Sequence, residues 1–128
     1  MERIPRAGLT ALAALALLIA GCGSGSGASS GTRATTGTAD TDGTAHVFMK
    51  VLEFTPATIK ARVGQTVTWA NEDTSSHNVT YVSGPRFTSS RRMLNPGATF
   101  SITLSQPGTI RYVCTLHPWM RGTIVVSP

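Results

Sequence analysis

From residue 46 onward, apolar and polar side chains alternate in short runs. Ile59, Ala61 and Val63 interleave with Thr58, Lys60 and Arg62; Val67 and Trp69 with Thr66 and Thr68; Phe100, Ile102 and Leu104 with Thr99, Ser101 and Thr103. A period of two turns one face of a strand toward a core and the other toward water. Turn signals separate the runs at Val63-Gly64-Gln65, Asn95-Pro96-Gly97 and Gln106-Pro107-Gly108. No helical apolar stripe runs far enough to compete. The pattern predicts strands over 46–54, 57–63, 65–71, 77–83, 98–104, 108–114 and 121–127, with an eighth placed loosely between 84 and 95. Strands this short and this regularly spaced predict an all-β sandwich or barrel of seven to eight strands.

The chain before residue 46 reads differently. Arg3 and Arg6 precede an apolar run from Leu9 to Ala20, and small residues follow. Residues 1–21 read as an export signal. The run is shorter than the roughly 20 apolar residues a membrane-spanning helix needs. Ile19-Ala20-Gly21-Cys22 resembles the cleavage box of bacterial lipoproteins, which implies lipid attachment at Cys22 and an extracytoplasmic, membrane-anchored protein. Gly23 to Ala45 holds no apolar residue larger than Ala. Residues 22–45 therefore read as a lipidated cysteine followed by a flexible Gly/Ser/Thr linker with a mean reach of roughly 25 Å. One small domain remains, residues 46–128. It carries eight Lys or Arg against three Asp or Glu, a net +5. Neither stacked aromatics nor a dense basic run points to nucleic acid. The charge suits an acidic protein partner or an anionic membrane.

The chemistry sits near the end, in Cys114-Thr-Leu-His117-Pro-Trp-Met120. A thiolate, an imidazole and a thioether recur at three-residue steps, and His77 lies upstream. Strand phase places Ile110, Tyr112 and Cys114 on one face, and His77, Val79 and Tyr81 on another. Pro118 biases His117 away from helix, so Cys114 to Met120 reads as a loop between strands. Cys22 and Cys114 are the only cysteines. An unligated Cys114 in an oxidising compartment is an oxidation hazard, which a bound metal removes. Structural zinc needs four good ligands and Met is a poor one. No acidic residue adjoins the set, because Glu72 and Asp73 fall in a turn before His77; this speaks against catalytic zinc. A binuclear copper site would want a second loop cysteine. Two imidazoles, one thiolate and one weak thioether suit a blue-copper electron-transfer site.

These residues carry a family resemblance through nearly all of 46–128. It runs through Phe54-Thr-Pro56, Val63-Gly64-Gln65-Thr-Val67-Thr-Trp69-Ala-Asn71, His77-Asn78-Val79, Asn95-Pro96-Gly97 and Tyr112-Val-Cys114-Thr-Leu-His117-Pro-Trp-Met120-Arg-Gly122. The domain resembles the cupredoxins, within them the plastocyanin/amicyanin/pseudoazurin group. The resemblance implies a Greek-key sandwich holding one type 1 copper, with His77, Cys114 and His117 as equatorial ligands and Met120 axial. It implies a hydrogen bond from Asn78 to the ligand loop near Thr115. It also makes the edge of His117 the electron port, with Pro118 and Trp119 in the apolar surface around it. Ser83 to Leu94 departs from the family pattern and leaves the partner surface open. The expected function is a monomeric, membrane-anchored carrier of single electrons between a donor and an acceptor redox protein, not an enzyme. The alternative is a copper-binding or copper-delivery protein.

Overall fold

The computed structural model describes residues 36–40 and 42–128. Nine strands are formed: β1 (Thr36–Thr38), β2 (Thr44–Lys50), β3 (Glu53–Thr55), β4 (Thr58–Arg62), β5 (Thr66–Asn71), β6 (Thr80–Ser83), β7 (Thr99–Thr103), β8 (Gly108–Val113) and β9 (Arg121–Ser127). They build two sheets, one of order β1-β4-β9-β8-β6 and one of order β3-β2-β5-β7. The described residues contain no helix. The alternation read from the sequence is the alternation of burial. Val47 and Met49, Ile59 and Ala61, Val67 and Trp69, and Ile124 and Val126 all point inward.

The core is organised around Trp69. The Tyr112 ring meets it edge-on at 5.2 Å, Phe54 meets Tyr112 at 4.8 Å, and Phe100 leans on Trp69 at 5.7 Å. Aromatic pairs in such geometry add roughly 0.5–1.5 kcal/mol beyond their buried area. Gly122 of β9 lies beneath Tyr112, and a Cβ there would overlap the ring. The glycine thus lets the sheet pass under the aromatic cluster that backs Cys114.

Four expectations need correction. The run 46–54 is two strands, because the chain doubles back at Val51 and Leu52, where φ is 54° and 59°. Lys50 then pairs with Glu53 across a two-residue turn. The linker ends earlier than residue 45. Thr36–Thr38 pair in parallel with β4, and Thr44 and Ala45 open β2. Small residues suffice there, since backbone pairing needs no apolar side chain and Ala45 is itself fully buried. Gly37 is also the residue that fits against the Pro56 ring, where a Cβ would stand 2.6 Å from Cγ.

The third correction concerns residues 84–95, which form no strand. This segment runs beside β6 with one backbone bond, from the Ser90 N–H to Val79 O at 2.9 Å, and is otherwise held there by side-chain hydroxyls. The Val79 N–H donates to Ser90 Oγ at 3.0 Å and the Tyr81 N–H to Ser89 Oγ at 2.9 Å. Phe87 stacks on Trp69 and meets Tyr81 edge-on. A strand is likewise shorter than read at 77–83, where pairing into β6 starts at Thr80 and His77 makes an isolated bridge to Leu94.

Candidate metal centre

The site forms where the β8–β9 loop meets the segment that follows β5. Cys114 directly follows β8 and keeps the inward phase of Ile110 and Tyr112. The loop then closes on itself: the His117 N–H donates to Cys114 O at 3.3 Å and the Met120 N–H to His117 O at 2.8 Å. The Cys114 N–H donates back to Met120 O at 3.0 Å. Three of the four candidate ligands are therefore fixed by bonds within seven residues.

His77 comes from the other side. Its backbone exchanges two hydrogen bonds with Leu94, at 3.1 and 2.7 Å. The buried Asn71 side chain braces the approach, donating to Ser75 O and Leu94 O and accepting from the Asp73 N–H. Asn78 joins the two halves. Its amide donates to Thr115 Oγ1 at 2.6 Å and its carbonyl accepts from the Thr115 N–H at 2.8 Å.

Donor atoms converge. Cys114 Sγ lies 3.8 Å from His77 Nδ1 and 3.7 Å from His117 Nδ1, and the two Nδ1 atoms are 3.2 Å apart. A point equidistant from the three corners lies roughly 2.1 Å from each, close to the ~2.0–2.3 Å of metal–nitrogen and metal–sulfur bonds. His77, Cys114 and Met120 are buried, and His117 is partly exposed. The residues thus fit a single soft-ligated ion in both chemistry and spacing. Bonded there, His77, Cys114 and His117 would hold the metal, and Met120 would add its thioether.

One neighbour was misplaced by the sequence reading. Asp73 does adjoin the site: its Oδ2 is 3.2 Å from His77 Nε2. A carboxylate only accepts, so Nε2 carries the proton and Nδ1 keeps its lone pair for the metal. The same oxygen accepts from the Leu52 N–H at 2.8 Å. That bond, with help from the Thr74 N–H and His77, holds the Asp73 carboxyl below the usual carboxylate range despite some desolvation. The spacing of Asp73 and His77 carries no signal outside a helix, and only the fold brings them together.

The rim is apolar. Trp119 is 64% exposed and stands edge-on to His117 at 5.4 Å; Leu116 is 48% exposed and Pro118 is open to solvent. Trp119 is therefore a surface residue and not core filling. Cys22 lies outside the described residues.

The family model for copper binding proteins of the plastocyanin/azurin family matches residues 41–127. The chain belongs to this copper-binding family. Amicyanin-alpha of Methylorubrum extorquens is 36% identical over 78 residues, which cover 59% of this chain and 66% of that one. The match thus spans just under two thirds of the relative's length. Among solved structures, a Cu(I) amicyanin variant superposes with a TM-score of 0.61 at 32% identity, over 69% of this chain and 86% of that one. The copper-containing nitrite reductase of Thermus scotoductus gives a TM-score of 0.61 at 30% identity, over 66% of this chain but 22% of the reductase. As a plastocyanin/azurin family member the chain takes copper as its cofactor, and His77, Cys114, His117 and Met120 fit one type 1 copper.

Proposed function

We infer that this protein carries single electrons between extracytoplasmic redox partners and is not itself an enzyme. The observation that carries this reading is the asymmetry of the ligand set. Three donors are sealed in the core, and His117 alone reaches an exposed apolar rim. When bound, copper supplies a one-electron Cu(II)/Cu(I) couple. The chain's own residues do the rest. Asp73 fixes the His77 tautomer, Asn78 ties the two ligand-bearing segments, and the closed loop constrains the spacing of its donors. A geometry that does not rearrange favours rapid transfer. Trp119, Pro118 and Leu116 offer a partner an apolar seat beside the port.

With Met120 as the fourth donor, the set would fill the position that a catalytic metal leaves open. The amicyanin likeness supports a carrier, and the nitrite reductase likeness extends to only 22% of that enzyme. The signal-like residues 1–21 and Cys22 support export and a lipid anchor. Copper delivery would need donors that exchange readily, and the burial of His77, Cys114 and Met120 opposes it.

The copper-loaded protein is expected to show an intense visible charge-transfer band that disappears on reduction and returns on oxidation. A colourless copper complex would overturn this reading. Cys114→Ser should abolish the band. Met120→Leu should keep it and shift the reduction potential; equal loss of copper in both variants would remove Met120 from the ligand set.

A further inference from the structure

The outer face of the five-stranded sheet carries four cations and no carboxylate. Strand phase sends Lys60 and Arg62 of β4, Arg111 of β8 and Arg121 of β9 away from the core, and all four are exposed. Threonine, valine and serine fill the other outward positions on that face. Register sets the cations as two pairs spread along β9. Arg111 lies opposite Thr123 and Arg121 opposite Val113, so the two arginines are diagonal neighbours. Lys60 and Arg62 lie opposite Val125 and Ser127 on the far side of β9. Arg111 and Arg121 also line one depression of about 260 Å³. Among the described residues, none of the four cations has a carboxylate within ion-pair distance. The carboxylates sit elsewhere: Asp40 and Asp42 between β1 and β2, Glu53 in the other sheet, Glu72 and Asp73 after β5.

We propose that this face docks on an anionic phospholipid bilayer. A pleated sheet with short side chains between its cations sets all four at one depth, and each Lys or Arg at such a surface strengthens binding roughly fivefold. Val125 on β9 and Val82 on the edge strand β6, 38% and 51% exposed, offer shallow apolar contact among and beside the cations. The N-terminal segment enters the domain on this same sheet, since β1 is its edge strand. Thr36 follows Cys22 by fourteen residues, a reach of at most roughly 50 Å. This step rests on the lipid-anchor reading, and it keeps the face close to the membrane. A redox partner is the poorer occupant: seated on the rim at Trp119 it would meet Arg121, but Lys60 and Arg62 lie opposite Val125 and Ser127 at the far end of β9 and would stay unused. With the face down, the strands lie along the membrane and the 114–120 loop at their end opens sideways. His117 then meets partners held on the same surface.

The test uses the full chain carrying Cys22→Ser, copper-loaded, and vesicles of phosphatidylcholine alone or with about 30% phosphatidylglycerol. The quantity read is the ratio of anionic to neutral partition, which cancels binding by the apolar run at Leu9 to Ala20. Reversal in Arg111→Glu/Arg121→Glu is expected to lower that ratio at least about 25-fold at low salt. Arg91→Glu/Arg92→Glu, with the same change in net charge off the face, should lower it less than about threefold. The neutral pair Arg111→Gln/Arg121→Gln should fall between the first variant and the parent, and the visible copper band reports folding in each. Equal losses from both reversal pairs, or a parent ratio near one, would overturn the proposal. Retention on an immobilised acidic polypeptide without vesicle binding would overturn it in favour of a protein partner. Mass measurement of acylation at Cys22 in a bacterial host tests the anchor separately, so the two can fail independently.

Discussion

Asp73 Oδ2 accepts from the Leu52 N–H of the β2–β3 turn and from His77 of the metal centre, so one oxygen links a surface hairpin to a buried ligand. Because its folded pKa is depressed, the carboxylate stabilises the fold above the ordinary aspartate value of about 3.9. That contribution is lost as pH falls through the depressed folded value. In copper-free protein, Asp73→Asn should lower the urea midpoint at pH 6, and the gap to wild type should close toward pH 3. A gap of equal size at both pH values would show that the charge is not the cause. Cys114, His117 and Met120 were legible from spacing alone. His77 needed strand phase as well, and Asn78 with Thr115 came only through family resemblance. Asp73 was not legible, because its contact depends on how the chain after β5 curls back.

At the scale of elements, legibility followed chemistry. Strands with an alternating apolar face were read to within a few residues. β1 was missed because Thr-Gly-Thr offers no apolar alternation and gains its place by backbone pairing with β4. The β2–β3 turn was missed because Val-Leu is the reverse of the glycine and asparagine chemistry that two-residue turns with positive φ prefer. Val51 is 78% exposed, so no packing explains its presence. A left-handed conformation costs an L-residue roughly 1–2 kcal/mol, and asparagine tolerates it better. Val51→Asn should raise the unfolding free energy by about 1 kcal/mol, measured by urea denaturation. A fall in stability would mean that the valine makes a contact worth more than the strain.

Across the whole molecule, the donor set is held by two sheets, a self-closed loop and the Asn78–Thr115 link, all made by the polypeptide. Removing copper should therefore leave the far-UV circular dichroism unchanged while lowering the unfolding midpoint. At a hundredfold excess over Kd, the ion adds about 2.7 kcal/mol. A large spectral change on copper removal would show that the metal organises the fold instead. The all-β class and the two-layer core were legible because burial alternates along nearly every strand. The layout of the outer surface was not, since charge placement depends on register between strands far apart in sequence. The uneven exposure of the four ligands has one more consequence. With His77, Cys114 and Met120 buried, His117 is the one of the four that reaches the surface. In the proposed carrier, an electron would cross there with the door shut. A metal ion would have to wait for the loop to open and break its own backbone bonds, so turnover of charge and turnover of metal would run on separate clocks.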